Sequence, residues 1–545
     1  MNKIGELFEK PIDRTIEEVI KVDQTDESSV RTEIEEYIAT DSIRDQFVEV
    51  YREIASGPAR PREGIGIWVS GFFGSGKSLF AKILGYTVAN RKLGNTTAAE
   101  LFKRTVNDDR VSSHLDSIIT RIPFHSVIFD VSTDRGVRVA NDRLTVIMYR
   151  ALLRQLGYAE DLDLAELEFT LEGDRELEAF EKMFRDFHGD TWQKRRQLGL
   201  AINEASVVLN KLNPKKHTTP DSYTLSVSKG RADIDLNRLA RLAFDMMERR
   251  QPGKALLFVI EEVGQYVSRS VDKMLDLQAI VQAFGVEGKN RTERRQAPSP
   301  CWIVVTSQEK LDEIVTALDS KRIELARLQD RFRIPVDLKQ SDISEVTSER
   351  VLKKKREAAE LLNKRFEANR GRIQQCSTLE RTSRNVDIDR VTFARLYPYL
   401  PYQIELSIDI VAGLRLKRGA HRHVGGSNRT IISQAQQLMI NPRTKLADAT
   451  IGTFVTLDKI YELLYVGNLL PVEMTREVDS VADRFPNNPL IQKVAKAVAL
   501  QVVSLRVEEI YGTSRLSDML LVHDLNAGLL KIGHSGGEVF FRQLQ

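Results

Sequence analysis

The chain has 545 residues, 42% hydrophobic and 29% charged, with 80 basic residues against 77 acidic ones; that length predicts about three or four domains, not one compact core. A net charge of +3 leaves no global footprint for nucleic acid, so any such contact has to come from local basic clusters. Two cysteines, Cys301 and Cys376, exclude both a disulfide framework and a cysteine-rich zinc site. The opening Met1-Asn2-Lys3-Ile4-Gly5-Glu6 has no apolar signal core, and no later stretch approaches the apolar length of a membrane span. A soluble cytoplasmic protein with no membrane partner is expected.

Residues 28–39 and 42–55 read as two short amphipathic helices, the second carrying Ile43, Phe47, Tyr51 and Ile54 on one face behind a Thr40-Asp41-Ser42 cap signal. They form a helical lead-in over residues 1–58. After the break at Gly57-Pro58-Ala59-Arg60-Pro61, the apolar run 65–69 fits a buried strand. A helix over 78–89, a strand over 124–131 and a helix over 137–156 continue an alternation that predicts an α/β sheet. Residues 158–250 read as a charged, helical insertion into that domain. Strands over 255–260, 302–306 and 334–338 complete five, so the α/β unit spans 59–340. A helical unit follows over 341–454, with helices around 351–374, 401–414 and 430–439. The tail 455–545 reads as helices, then a β-hairpin around Gly536-Gly537.

The full pattern G-x-x-x-x-G-K-[ST] occurs at Gly71-Phe72-Phe73-Gly74-Ser75-Gly76-Lys77-Ser78, followed by Leu79, between the first strand and the next helix. Its glycines let the backbone curl so that successive N–H groups face phosphates, and the helix adds its positive end. Lys77 is expected on the β and γ phosphates of ATP, and the Ser78 hydroxyl on Mg²⁺. The strand Leu256-Leu257-Phe258-Val259-Ile260 ends in Glu261-Glu262. Glu261 is expected to hold the Mg²⁺ through water and Glu262 to act as general base on the attacking water. Paired acids at a strand end are common on solvated termini, and the complete P-loop is what favours the functional reading.

These residues resemble the AAA+ class of P-loop ATPases, particularly its origin-recognition-like branch, which implies a parallel sheet with a helical insertion, a helical lid and a winged-helix domain. In that likeness Trp302 to Gln308 is similar to a sensor-1 strand, with Thr306 or Ser307 reading the γ-phosphate. Arg327, Arg331 and Arg333 stand where such proteins place an arginine finger for a neighbouring subunit. Gly426-Ser427-Asn428-Arg429 is similar to sensor 2, which implies that Arg429 contacts the γ-phosphate from the same chain. Glu261-Glu262 departs from the commoner Asp-Glu of the class.

The opening Phe8-Glu9-Lys10-Pro11-Ile12-Asp13-Arg14, the stretches Lys21 to Val30 and Glu36 to Thr40, the segment Trp68 to Ser78, and Glu261-Glu262-Val263-Gly264-Gln265-Tyr266 resemble the BrxC/PglY family. Those are large P-loop ATPases of the BREX and phage-growth-limitation defence systems. The likeness is specific in the first hundred residues and around Glu262 and looser elsewhere. Family members are much longer, so an amino-terminal fragment is expected. The resemblance implies an oligomeric ATPase acting beside a DNA methyltransferase and other defence proteins.

The helix and hairpin of the tail are similar to a winged helix, which implies either contact of Lys531, His534 and Arg542 with double-stranded DNA or a packing module only. Lys353-Lys354-Lys355-Arg356 reads as a solvated helix face, and His421 and His423 lack the spacing of a metal site. Two functions remain open: an ATPase remodelling a DNA-associated complex, and a nucleotide-dependent scaffold or switch with little hydrolysis. A metabolic kinase is disfavoured by the sensor and lid pattern.

Overall fold

A computed structural model describes residues 1–14, 26–71, 75–131, 144–229, 236–267, 270–317, 328–377, 388–416 and 431–503. Its centre is a five-stranded parallel sheet. In chain order the strands are β1 (Gly66–Gly71), β4 (Phe124–Asp130), β5 (Ala255–Glu261), β6 (Trp302–Ser307) and β7 (Ile334–Leu338); the two-residue β2 (Lys92–Leu93) and β3 (Thr96–Thr97) pair separately as an antiparallel ladder. The spatial order is β4-β5-β6-β1-β7, with every pairing parallel. β6 therefore lies between the P-loop strand and the acidic strand. All five strands end at one edge of the sheet.

Runs of apolar residues, not alternating ones, form these strands because both faces are covered. One face packs on α1 (Glu27–Glu35), α2 (Asp41–Ser56), α3 (Lys77–Val88), α4 (Ala98–Val106) and α5 (Asp109–Arg121), with Phe47, Tyr51, Phe80 and Phe102 at its centre. The other packs on α6 (Leu144–Leu156), α12 (Leu236–Arg250), α13 (Val263–Val267) and α14 (Val271–Glu293). α2 begins as its sequence suggests, since the Thr40 hydroxyl accepts from Ile43 N–H at 3.2 Å.

The helical insertion carries its own core. Leu164, Leu171, Phe180, Phe184, Trp192, Val208 and Leu209, from the helices between 162 and 212, cluster apart from the sheet. Glu168, 1% exposed, ties this unit together by accepting from Ala159 N–H at 2.8 Å and Trp192 Nε1 at 2.6 Å while pairing with Arg196 at 2.8 Å. The last helix of the expected insertion, α12, belongs to the sheet instead: Leu239, Phe244 and Met247 join its core.

Two groupings differ from the sequence-based division. Ile4, Leu7 and Phe8 pack among the helices after residue 340, not against the sheet as part of a lead-in. Their backbone explains it: Glu9 N–H donates to Lys353 O at 2.8 Å and Lys355 N–H to Leu7 O at 2.9 Å. The basic run at 353–356 is thus partly a docking rail. The same apolar cluster also runs across residue 454, taking in Leu457, Tyr461, Leu464 and Leu500. The expected hairpin, with Lys531, His534 and Arg542, lies outside the described residues. Among the described residues no helix is long and apolar enough to cross a membrane.

Candidate nucleotide site

The site is built where β1 turns into α3. Gly76 is the N-cap of α3 with φ +89° and ψ 16°, a left-handed conformation that glycine adopts without steric cost. No side chain caps this helix and no acidic residue stands in its first turn. Its leading N–H groups and positive dipole end are therefore left for an anion from outside. Lys77 is 9% exposed and donates from Nζ to Gly71 O at 2.8 Å, which folds the side chain back over the loop. Gly71, Ser75, Gly76, Lys77, Ser78 and Leu79 are described; Phe72, Phe73 and Gly74 lie outside the described residues.

β5 delivers the two acids to the same place. Glu261 is its last residue, 2% exposed, and the Ser78 hydroxyl is hydrogen-bonded to its carboxylate. Its Oε1 meets no donor. Burial pushes this carboxyl up to about 8, helped by the negative charges of Asp130 and Glu262 and opposed by the Ser78 bond and Lys82. A hydroxyl beside a dehydrated carboxylate with one free oxygen is a hard, anionic donor set of the kind Mg²⁺ takes, and a bound cation reverses the preference for the neutral acid. The residues present fit that ion.

Glu262 stands just past the strand with φ +59°, a conformation rare for a residue with a side chain. Thr306 holds it there: its hydroxyl, at the end of β6, accepts from Glu262 N–H at 3.0 Å. Burial raises the Glu262 carboxyl above its ordinary range, with Lys77 pulling it down and Asp130 pushing it up. A carboxylate raised in this way is a stronger proton acceptor at neutral pH. Ser307, also buried, accepts from Glu309 N–H at 3.1 Å and lies against Gly264. A Cβ at Gly264 would come within 2.1 Å of Ser307 Oγ, so only glycine fits behind the acids.

The arginines lie elsewhere. Arg331 and Arg333 precede β7, at the opposite end of the sheet, about 20 Å from the P-loop for strands of this length. Arg331 pairs with Glu63 at 3.0 Å, while the exposed Arg333 donates from Nε to Asp330 O at 3.3 Å. Neither reaches Lys77 within one chain. Arg327 and Arg429 lie outside the described residues, as do His421 and His423.

Two residues of this neighbourhood escape a reading of motifs. Lys82, one turn beyond Ser78 on α3, is fully buried and bound to Glu33 of α1 at 2.6 Å. Its signal is a lysine on an otherwise apolar helix face. Asp130 ends β4 directly opposite Glu261. No family model matches the sequence, and no solved structure matches the fold.

Proposed function

We propose that this chain is an AAA+-type P-loop ATPase that binds ATP with Mg²⁺ and hydrolyses it. The observation that carries the reading is the meeting of Ser78 and Glu261 beside Lys77, at the uncapped start of α3. The nucleotide's phosphates would lie on the α3 N-terminus and Lys77, and the cation on Ser78 and Glu261. Bound there, Mg²⁺ neutralises charge developing on the transferred phosphoryl group. Glu262, held by Thr306 and raised by burial, takes the proton of the attacking water.

A neighbouring subunit supplies the missing positive charge in this reading, through Arg327, Arg331 or Arg333, so a homo-oligomer is the active form. Arg429 would contact the γ-phosphate from the helical lid. The cellular role we propose is a BREX-type anti-phage defence system, with a DNA methyltransferase and double-stranded DNA among the partners. The support for that role is the resemblance in the first hundred residues and around Glu262. The alternative, a nucleotide-dependent scaffold or switch with little hydrolysis, is favoured by the commitment of Arg331 to Glu63, because a single chain then lacks an arginine at its own site.

The test is a pair of variants. Lys77→Ala should lose ATP binding, read by a fluorescent ATP analogue. Glu262→Gln should keep binding and lower turnover by about 10²–10⁴-fold. Normal turnover in Glu262→Gln removes the base assignment, and wild-type binding without turnover in the oligomer, with or without DNA, leaves the switch.

A further inference from the structure

We propose that Asp130 is a further positioning residue of this site, a carboxylate that acts through water on the divalent cation held by Ser78 and Glu261. The proposal rests on the nucleotide-binding reading above. It starts from the register of β4 on β5, which sets Asp130 opposite Glu261. Side chains alternate along each strand, and the two cores show which face each takes. Phe124 on β4 and Ala255, Leu257 and Val259 on β5 pack with Phe80, Ile83 and Leu84 of α3. Val127, Phe129, Phe258 and Ile260 pack on the opposite side. Counting by twos from Phe124 and from Ala255 puts Asp130 and Glu261 on the α3 face, one strand spacing of about 4.8 Å apart. Val131 N–H donates to Glu261 O at 3.2 Å and extends the pairing beyond the last strand residue.

An acidic pair at a sheet edge is not by itself a cation site. The independent observation is the Glu261 carboxylate, 2% exposed, with Oε1 lacking any donor while Asp130 stands beside it. Lys82 does not discharge the pair alone, because its ammonium is bound to Glu33 at 2.6 Å. Asp130 also acts electrostatically on both glutamates. Mg²⁺ gives up its water reluctantly and keeps several water molecules in protein sites. Those waters are donors, and a carboxylate next to the ligating one is placed to accept from them. Outer groups of this kind change metal affinity by about 10- to 100-fold. Without the cation the same charge repels the phosphates. Asp130 therefore makes nucleotide binding steeply dependent on Mg²⁺.

The experiment titrates Mg²⁺ into the full chain with a fluorescent ATP analogue at fixed concentration, and repeats the binding in EDTA. Asp130→Asn should raise the Mg²⁺ concentration at half-saturation by about 10-fold while leaving binding in EDTA unchanged or tighter. Asp130→Glu should restore most of the loss. An unchanged Mg²⁺ half-point in Asp130→Asn overturns the proposal and leaves the nucleotide site standing. Equal weakening with Mg²⁺ and in EDTA, without rescue by Asp130→Glu, assigns Asp130 to structure alone and also overturns it. Wild-type protein that binds no nucleotide at any Mg²⁺ concentration removes the nucleotide reading and the proposal together. Should Asp130→Asn not fold, Asp130→Ser provides the same comparison.

Discussion

The two ends of the parallel sheet hold charge in opposite ways. At the carboxyl end, Glu261 and Glu262 are withdrawn from water, with Asp130 beside them, and both glutamates are raised above their ordinary range. At the amino end, Arg331 is matched to Glu63 at 3.0 Å, Arg62 to Glu53 at 3.1 Å, and Arg333 is exposed. One end is short of positive charge and the other carries arginines in a relaxed, partly solvated state. A single chain cannot bring the two together across the length of its strands. Packing one chain's amino end on another's carboxyl end would.

The largest test of that contrast is to remove the arginines. Arg331→Ala with Arg333→Ala should leave ATP binding unchanged and cost about 1 kcal/mol or less in stability, since the one ion pair lost is partly solvated. Turnover of the assembled protein should fall by about 10³-fold, the lower range for an arginine finger. Equal turnover in assembled wild-type and variant protein would confine the chemistry to the carboxyl end. A smaller effect belongs to Thr306, which touches Glu262 only through the backbone. Thr306→Val keeps the shape and removes the acceptor, freeing Glu262 from its left-handed conformation. A displacement of about 1 Å costs about 100-fold in rate, with nucleotide affinity little changed. Loss of affinity in step with rate would instead make Thr306 a phosphate contact.

Much of this arrangement is legible in the residues. The five strands are apolar runs bounded by turn residues, because a sheet buried on both faces has no polar positions to spare. The P-loop is legible because glycine, lysine and serine occupy spacings that few other structures require. Asp130 is not, since a lone acid at a strand end looks like any solvated terminus until the register places it opposite Glu261. The docking of residues 4–8 on 353–355 is hidden for the same reason. Pairing between segments more than three hundred residues apart leaves no local periodicity. The core of the insertion is half legible: Phe180, Phe184 and Trp192 mark an apolar face, but that the face turns on itself and not on the sheet depends on packing.

The smallest effect sharpens the contrast most directly, because it reads the stored charge without any turnover. Glu261 is raised from 4.5 to about 8 when folded, whereas in the unfolded chain it titrates near its ordinary value. Between those limits the folded protein keeps a proton that the unfolded chain has released, so rising pH favours unfolding. The contribution of Glu261 is whole below about 4.5 and lost as pH passes about 8. At its steepest one such proton changes stability by about 1.4 kcal/mol per pH unit. In EDTA, urea midpoints of the wild type should fall from pH 5 to pH 8 more than those of Glu261→Gln, whose amide still accepts from Ser78. Adding Mg²⁺ and ADP should reverse the sign for the wild type, because the cation binds the deprotonated carboxylate and gains as pH rises. Parallel pH profiles for the two proteins in EDTA would mean that Glu261 is not held as a buried acid, and the contrast between the ends of the sheet would then rest on the arginines alone.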